Sequence, residues 1–229
     1  MTEASCLHCF ICDCRTIGIA DDYAVLIDRA DPQTREKILR YVRINDRYLH
    51  LIRDVMVSYV LRNSLGDKGF DISYNEYGKP FVKGFEPFFD FSVSHAGDLV
   101  TVAFGPSKVG VDVEKIGSAG DIDELLHFLS ERELRSIDSS EDREKEFYRI
   151  WTRREALGKK EGMGLLLYEG MPERSIFEDG SRFFEYGYQD YQITICTDTA
   201  VPDCNFETAD MGKWREMCYF WQKNVSIYR

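Results

Sequence analysis

The sequence predicts an α+β protein made of two halves joined near residues 106 to 110. Three observations carry this. Period-two alternation appears in three separate regions: at the N-terminus, across residues 71 to 114, and in the last third of the chain. Helical periodicity fills the two intervals between them. The length of 229 residues falls between one large domain and two small ones packed together, and no sequence repeat links the halves. The expected division is 1–108 and 109–229.

The first strand lies in CLHCFICDC, where Cys6, Cys9, Cys12 and Cys14 crowd together. Alternation puts His8, Phe10, Cys12 and Cys14 on one face and Cys9 and Ile11 on the other. Cys6-x-x-Cys9 also has zinc-ligand spacing, so a metal site and a strand of packed reduced thiols are both open. Asp31-Pro32 then opens a helix, with the carboxylate as cap and proline at the first position, carrying Ile38, Tyr41 and Val42. A second helix runs through Leu49, Ile52, Met56, Tyr59 and Val60 to Gly66.

Residues 71 to 114 read as short strands. FSVSH, LVTVAF and VGVDVE, separated by turns at 96–98 and 105–107, suggest a three-stranded antiparallel meander. Ser130-Glu-Arg-Glu133 is a capping box, and a further helix spans about Asp142 to Lys160. FFEYGYQDYQITICT and CYFWQKNVSIY alternate apolar and polar residues and suggest closing strands.

With 44% hydrophobic and 30% charged residues, the chain has the composition of a globular protein. Its net charge of −11 disfavours general nucleic-acid binding. No apolar run is long enough to span a bilayer, and MTEASCLHCF lacks the features of a signal peptide. A cytoplasmic protein without nucleic-acid or membrane partners is expected.

Within VGVDVEK, Asp112 and Glu114 share a strand face with Gly110, opposite Val109, Val111 and Val113. Two carboxylates side by side repel unless something positive compensates. In EFYRIWTRREALGKKEG, Phe147, Trp151, Glu155 and Lys159 recur every four residues, so a helix anchored by its aromatic end would project Glu155 and Lys159 into a cleft. Three carboxylates suit a hard cation such as Mg²⁺ better than zinc. A solvated Glu155/Lys159 pair and an exposed acidic strand edge remain the alternatives at this point.

GVDVE (110–114) followed by WTRREALGKKEG (151–162) resembles the signature blocks of Sfp-type 4'-phosphopantetheinyl transferases, G-[IV]-D-[IV]-E and W-[ST]-x-K-E-[AS]-x-x-K. YGKP (77–80) and FSVSHAGDLV (91–100) are similar to two further blocks, and with DPQTREKILRYV the resemblance covers about residues 32 to 165. It implies a pseudo-dimer of two similar α+β subdomains with the active site in the cleft between them. The implied reaction moves the 4'-phosphopantetheine of coenzyme A to a serine of an apo acyl or peptidyl carrier protein, Mg²⁺-dependent, releasing adenosine 3',5'-bisphosphate.

By motif position the resemblance implies Asp112, Glu114 and Glu155 as Mg²⁺ ligands, with Glu155 and Lys159 as catalytic residues. Coenzyme A contacts are implied for Lys37, Gly78, Lys79, Pro80, Ser94, His95 and Lys159, with His95 and Ser94 at the 3'-phosphate. Met163 and Leu165 to Tyr168 would offer an apolar carrier docking surface or form another core strand. A monomer is expected, because one chain supplies both halves. There are departures: Arg154 replaces the usual lysine, Ser92 the common asparagine, and Thr34 a lysine found in some relatives. A coenzyme A- or carrier-binding module without strong catalysis, or another Mg²⁺-dependent nucleotide or diphosphate transferase, is the alternative.

Overall fold

A computed structural model describes residues 6–66, 70–86, 88–117, 122–164, 176–177, 179–198 and 201–223. It is mixed α+β. Strands β1 (Leu7–Asp13), β4 (Asp90–Ala96), β5 (Leu99–Gly105) and β9 (Cys204–Thr208) form one sheet in the order β4-β5-β1-β9. A second sheet has the order β6-β8-β7, from β6 (Val109–Lys115), β7 (Arg182–Tyr188) and β8 (Tyr191–Thr197). A short hairpin of β2 (Ile72–Tyr74) and β3 (Pro80–Val82) stands apart.

Alternation along the strands sorts side chains into three cores. Leu7, Cys9 and Ile11 of β1 pack with Val109, Val111 and Val113 of β6 and Ile193 and Ile195 of β8, so this core lies between the two sheets. Phe10 and Cys12, on the opposite face of β1, join a core with α1 (Ile19–Arg29), α2 (Pro32–Leu39), α3 (Ile44–Leu65) and α6 (Met211–Lys223). The third core gathers α4 (Glu131–Ser139) and α5 (Arg143–Glu161) against Cys196 of β8. Each sheet thus carries helices on its outer face.

Several helix boundaries follow from local chemistry. Asp31 caps α2, accepting from the N–H groups of Gln33 and Thr34, with Pro32 at the first position. Ser130 and Glu133 complete the capping box of α4, and Asp142 caps α5.

The fold differs from the sequence reading at four places. The stretch 105–108 does not continue a meander: β6 pairs antiparallel with β8 in the other sheet, because β1 already occupies the free edge of β5. The closing segment from Cys218 is helical within the described residues. Trp214, Met217, Cys218 and Trp221 are buried together at spacings of three and four, a helix face that aromatic richness disguised as strand. The helix opened by Asp31-Pro32 ends at Leu39, leaving Tyr41 and Val42 outside it. Finally, β9 and α6 lie beyond residue 109 yet pack on the first half, β9 parallel to β1 and α6 against α3.

The cysteines divide as alternation expects, Cys9 in the inter-sheet core and Cys12 in the helical core. Burial pushes both thiols well above the ordinary range. They face opposite sides of β1, so the four N-terminal sulfurs do not converge on one point.

Candidate active-site cleft

The edges of the two sheets meet along β4 and β6 without a backbone ladder. Alternate residues of β4 bridge the gap instead. Asp90 Oδ2 accepts from the Val109 N–H at 2.9 Å, Ser92 Oγ accepts from the Val111 N–H at 3.1 Å, and Ser94 Oγ donates to Asp112 Oδ1 at 2.9 Å. The period of two that builds a strand thus also aims three polar side chains at the neighbouring edge.

Helix α5 lies directly on the Gly110 face of β6. A Cβ at Gly110 would fall 1.9 Å from the Ala156 carbonyl oxygen and 2.4 Å from the Lys160 nitrogen. Glycine is what lets the helix approach, and the approach puts Lys159 on Asp112. The Lys159 ammonium donates to Asp112 Oδ1 at 2.6 Å and to Ser94 Oγ at 2.8 Å. The positive charge that the Asp112/Glu114 pair called for therefore comes from the same helix that carries Glu155.

Asp112 is buried, and its Oδ2 has no hydrogen-bond partner among the described residues. Burial, and then the charge of Asp112, pushes both Glu114 and Glu155 up to about 7. Lys159 opposes this in each case. An orphaned carboxylate oxygen beside two glutamates that resist ionisation is an all-oxygen donor set short of positive charge, which fits a hard divalent cation. Among the described residues no group of three His, Cys, Asp or Glu side chains is drawn together closely enough to hold a metal, so the expected triad is not assembled as a coordination shell in this structure. Lys159 takes the position against Asp112 Oδ1.

Beside this seam opens a cavity of about 420 Å³. Lys37, Gly78, Lys79, Pro80, His95 and Lys159, six of the residues singled out from sequence, line it together. Ser94 is not in the wall; its hydroxyl is held between Asp112 and Lys159. Among the described residues no carboxylate lines the cavity, although the chain as a whole carries a net charge of −11.

Lys79 lines the wall but its ammonium is engaged. It donates to Asp90 Oδ2 at 2.5 Å, to the Val109 carbonyl at 3.0 Å and to the Lys160 carbonyl at 3.1 Å. Three donors meet three acceptors on β4, β6 and α5, so this lysine fastens the two halves. Asn75 reinforces the same junction, donating to the Gly162 carbonyl at 2.7 Å, where Gly162 ends α5 in the left-handed conformation at φ 77°.

His95, also in the wall, faces solvent at the end of β4, in edge contact with His50 at 5.4 Å between ring centroids. Partial desolvation, then the charges of Arg53 and Lys159, hold His95 below the ordinary histidine range. His50 stacks on Tyr41 at 3.9 Å, and burial followed by Arg53 takes it down to about 3. Burial lowers Lys37 as well, with Arg53 the next cause. Arg53, Tyr74 and Tyr77 also line the cavity and were not picked out from sequence. The apolar periodicity of α3 drew attention to its core face, whereas Arg53 stands on the cleft side.

Arg154 is fully buried against Glu133. Its Nε and Nη2 donate to Glu133 Oε2 at 3.0 and 2.5 Å, while Glu133 Oε1 accepts from the Ile176 N–H. The arginine that departs from the signature thus ties α5 to α4, away from the cleft. Of the expected carrier surface, Met163 packs on the third core; Leu165 to Tyr168 lie outside the described residues.

Two family models match consecutive parts of the chain: "4'-phosphopantetheinyl transferase, N-terminal" over residues 18–107 and "4'-phosphopantetheinyl transferase superfamily" over 108–202. The chain is 31% identical over 140 residues to 4'-phosphopantetheinyl transferase Sfp of Bacillus subtilis (strain 168), covering 59% of this chain and 62% of that protein. It is 32% identical over 159 residues to 4'-phosphopantetheinyl transferase ffp of Bacillus subtilis, covering 68% and 70%. With an L-aminoadipate-semialdehyde dehydrogenase-phosphopantetheinyl transferase of Xenopus laevis it shares 36% identity over 102 residues, 38% of this chain and 34% of that one. The fold and cleft define an α+β scaffold of two subdomains. The chain belongs to the Sfp-type 4'-phosphopantetheinyl transferase family. Its match to Sfp spans somewhat less than two thirds of that relative's length.

Proposed function

We propose that the protein transfers the 4'-phosphopantetheine of coenzyme A to a serine of an apo acyl or peptidyl carrier protein. The observation that carries this reading is a cleft wall with, among the described residues, four cationic side chains and no carboxylate, abutting a seam of three carboxylates, in a strongly acidic chain. Such a wall selects a polyanion, and coenzyme A presents a diphosphate and a separate phosphate monoester. The aromatic rings of Tyr74 and Tyr77 supply an apolar surface for its base.

In the reaction the carrier serine oxygen attacks the phosphorus that bears the pantetheine arm. The bond from that phosphorus to the adenosine 3',5'-bisphosphate breaks, and the leaving phosphate carries away the electron pair. Lys159 stands between cleft and seam, where its ammonium counters charge on the diphosphate. Glu155, on the helix face turned to Asp112, takes the serine proton. Ser94 keeps Lys159 and Asp112 in register. His95 and Lys37 hold the adenosine end. Asp112, Glu114 and Glu155 would hold Mg²⁺, which when bound supplies neutralisation of the diphosphate charge.

The test is intact-mass spectrometry of apo carrier proteins incubated with the enzyme and coenzyme A, with and without Mg²⁺. Gain of one phosphopantetheine only with the metal is expected. Coenzyme A binding without transfer to any carrier would favour a binding module. For the base, E155Q is expected to lose turnover while still binding coenzyme A; near-normal turnover would remove Glu155 from that role.

A further inference from the structure

Helix α2 contributes one cation to the cleft, Lys37, because Thr34 on the same helix is buried and its hydroxyl donates to the capping Asp31 at 2.6 Å. A lone, partly desolvated ammonium is a weak partner for a phosphate monoester, which carries close to two charges at neutral pH and three terminal oxygens. The neighbouring helix makes up the difference. Arg53 of α3 lines the same cavity as Lys37 and His95, and its charge acts on both, so α2, α3 and β4 each bring one nitrogen-bearing side chain to this wall.

The guanidinium is held in a defined plane. Arg53 Nε donates to Asp54 Oδ1 at 2.8 Å and Nη2 lies 2.7 Å from the same oxygen, and Asp54 is 1% exposed, so the anchoring carboxylate is itself immobile. A guanidinium carries five N–H donors in one plane, so one anchored along its Nε/Nη2 edge still meets a phosphate with a directed geometry that an ammonium lacks. Tyr41 stacked on His50, and His50 edge-on to His95, fix the imidazole that lines the same wall. Lys159, also in the wall, holds Asp112 of the carboxylate seam and suits the diphosphate.

We propose that Arg53 is the specificity-determining residue for a terminal phosphate monoester in this cleft, the 3'-phosphate of coenzyme A. The assignment rests on the coenzyme A reading above and adds a residue and a selectivity to it.

Calorimetric titration of the full chain and its R53M and R53K variants with coenzyme A and with 3'-dephospho-coenzyme A tests it. Charge-assisted hydrogen bonds of this kind correspond to a loss of about tenfold to a hundredfold in affinity. R53M should lose that factor for coenzyme A and change by less than about twofold for the dephospho compound, so that the preference for coenzyme A narrows by the same factor while Lys37 and His95 keep the remainder. R53K, which keeps the charge without the fork, should fall between. Equal weakening of both ligands, or of neither, overturns the assignment to Arg53 while the coenzyme A reading stands. If R53M melts early, R53K decides: a loss confined to coenzyme A supports the proposal and an equal loss overturns it. Failure of the unaltered protein to bind either ligand overturns the coenzyme A reading and this assignment with it.

Discussion

Replacing Gly110 by alanine is the smallest change that should separate α5 from β6. The new methyl would stand 1.9 Å from the Ala156 carbonyl oxygen, against an ordinary contact of at least 3.4 Å. The helix must therefore retreat by up to about 1.5 Å, the difference between these distances. Both obstructing atoms belong to backbone, so no side-chain rotation relieves the clash. Overpacking of this kind costs about 1–3 kcal/mol, and the rigid obstacle argues for the upper part of that range. For a chain of this size, that lowers the melting temperature by roughly 5–10 °C.

Activity should fall further than stability does. Glu155 and Lys159 flank the two obstructing residues and travel with the helix, stretching the 2.6 Å contact between Lys159 and Asp112. A misplacement of about 1 Å at a reacting centre costs on the order of a hundredfold in rate. The assay pairs thermal melting with kcat/KM for carrier modification. A G110A protein whose melting temperature and kcat/KM both match the parent would refute the argument that close helix approach explains this glycine. A156G should not rescue the variant, since the atom met at Ala156 is its carbonyl oxygen.

Three further outcomes are expected. K79M leaves Asp90 and two carbonyls without their shared donor, and should destabilise by about 1–3 kcal/mol in urea unfolding, the range for part-buried polar groups that lose a charged partner; a loss of coenzyme A affinity with stability intact would show instead that the lysine serves the ligand. R154M removes the counter-charge of the fully buried Glu133 carboxylate and should cost about 3–5 kcal/mol, with R154K recovering only part of it because the fork is lost; unchanged stability of R154M would refute this. His50, facing Arg53 on its own helix, Lys37 on α2 and His95 on β4, titrates at about 3 folded against about 6.5 unfolded. The unfolded chain then binds the extra proton, so stability rises with pH in this window and is lost as pH falls from about 6.5 to 3, by up to about 1.4 kcal/mol per pH unit. H50N should remove that component from the pH dependence of unfolding, and superimposable profiles for parent and variant would exclude it.

What was legible in the sequence is what short-range periodicity encodes. Alternation in VGVDVEK separated the valines of the inter-sheet core from the carboxylates, and the four-residue stripe on α5 led from buried Phe147 and Trp151 to Glu155 and Lys159. The caps at Asp31, Ser130 and Asp142 were equally local. Pairings between distant segments were not legible. Nothing in LVTVAF says that its second edge belongs to β1, and nothing in CNFET announces a parallel partner about two hundred residues earlier. Lys79 read as a ligand contact because its three acceptors come from Asp90, Val109 and Lys160, which only the fold unites. Arg53 was not legible because it is one of three arginines on α3, with Arg47 and Arg62, and their spacings of six and nine mark none of them for the cleft. Counting spacings of three and four in WREMCYFW would have revealed α6.

The seam between β4 and β6 explains why the chemistry-bearing residues sit where they do. A backbone ladder would have joined the two sheets into one and closed the gap between them to strand spacing. Side chains from Asp90, Ser92 and Ser94 hold the edges farther apart and satisfy the outward N–H groups of Val109 and Val111. The last link in the row differs from the others: Ser94 meets a side chain, Asp112, where its predecessors meet backbone. At that point the seam stops being purely structural, because Lys159 joins the same two oxygens and also reaches the cleft wall. Ser92, standing where an asparagine is common, makes its bridge to Val111 through the hydroxyl. The same alternation that spaces the halves therefore delivers Asp112 to the edge of the cationic cleft, with its second oxygen unpartnered among the described residues.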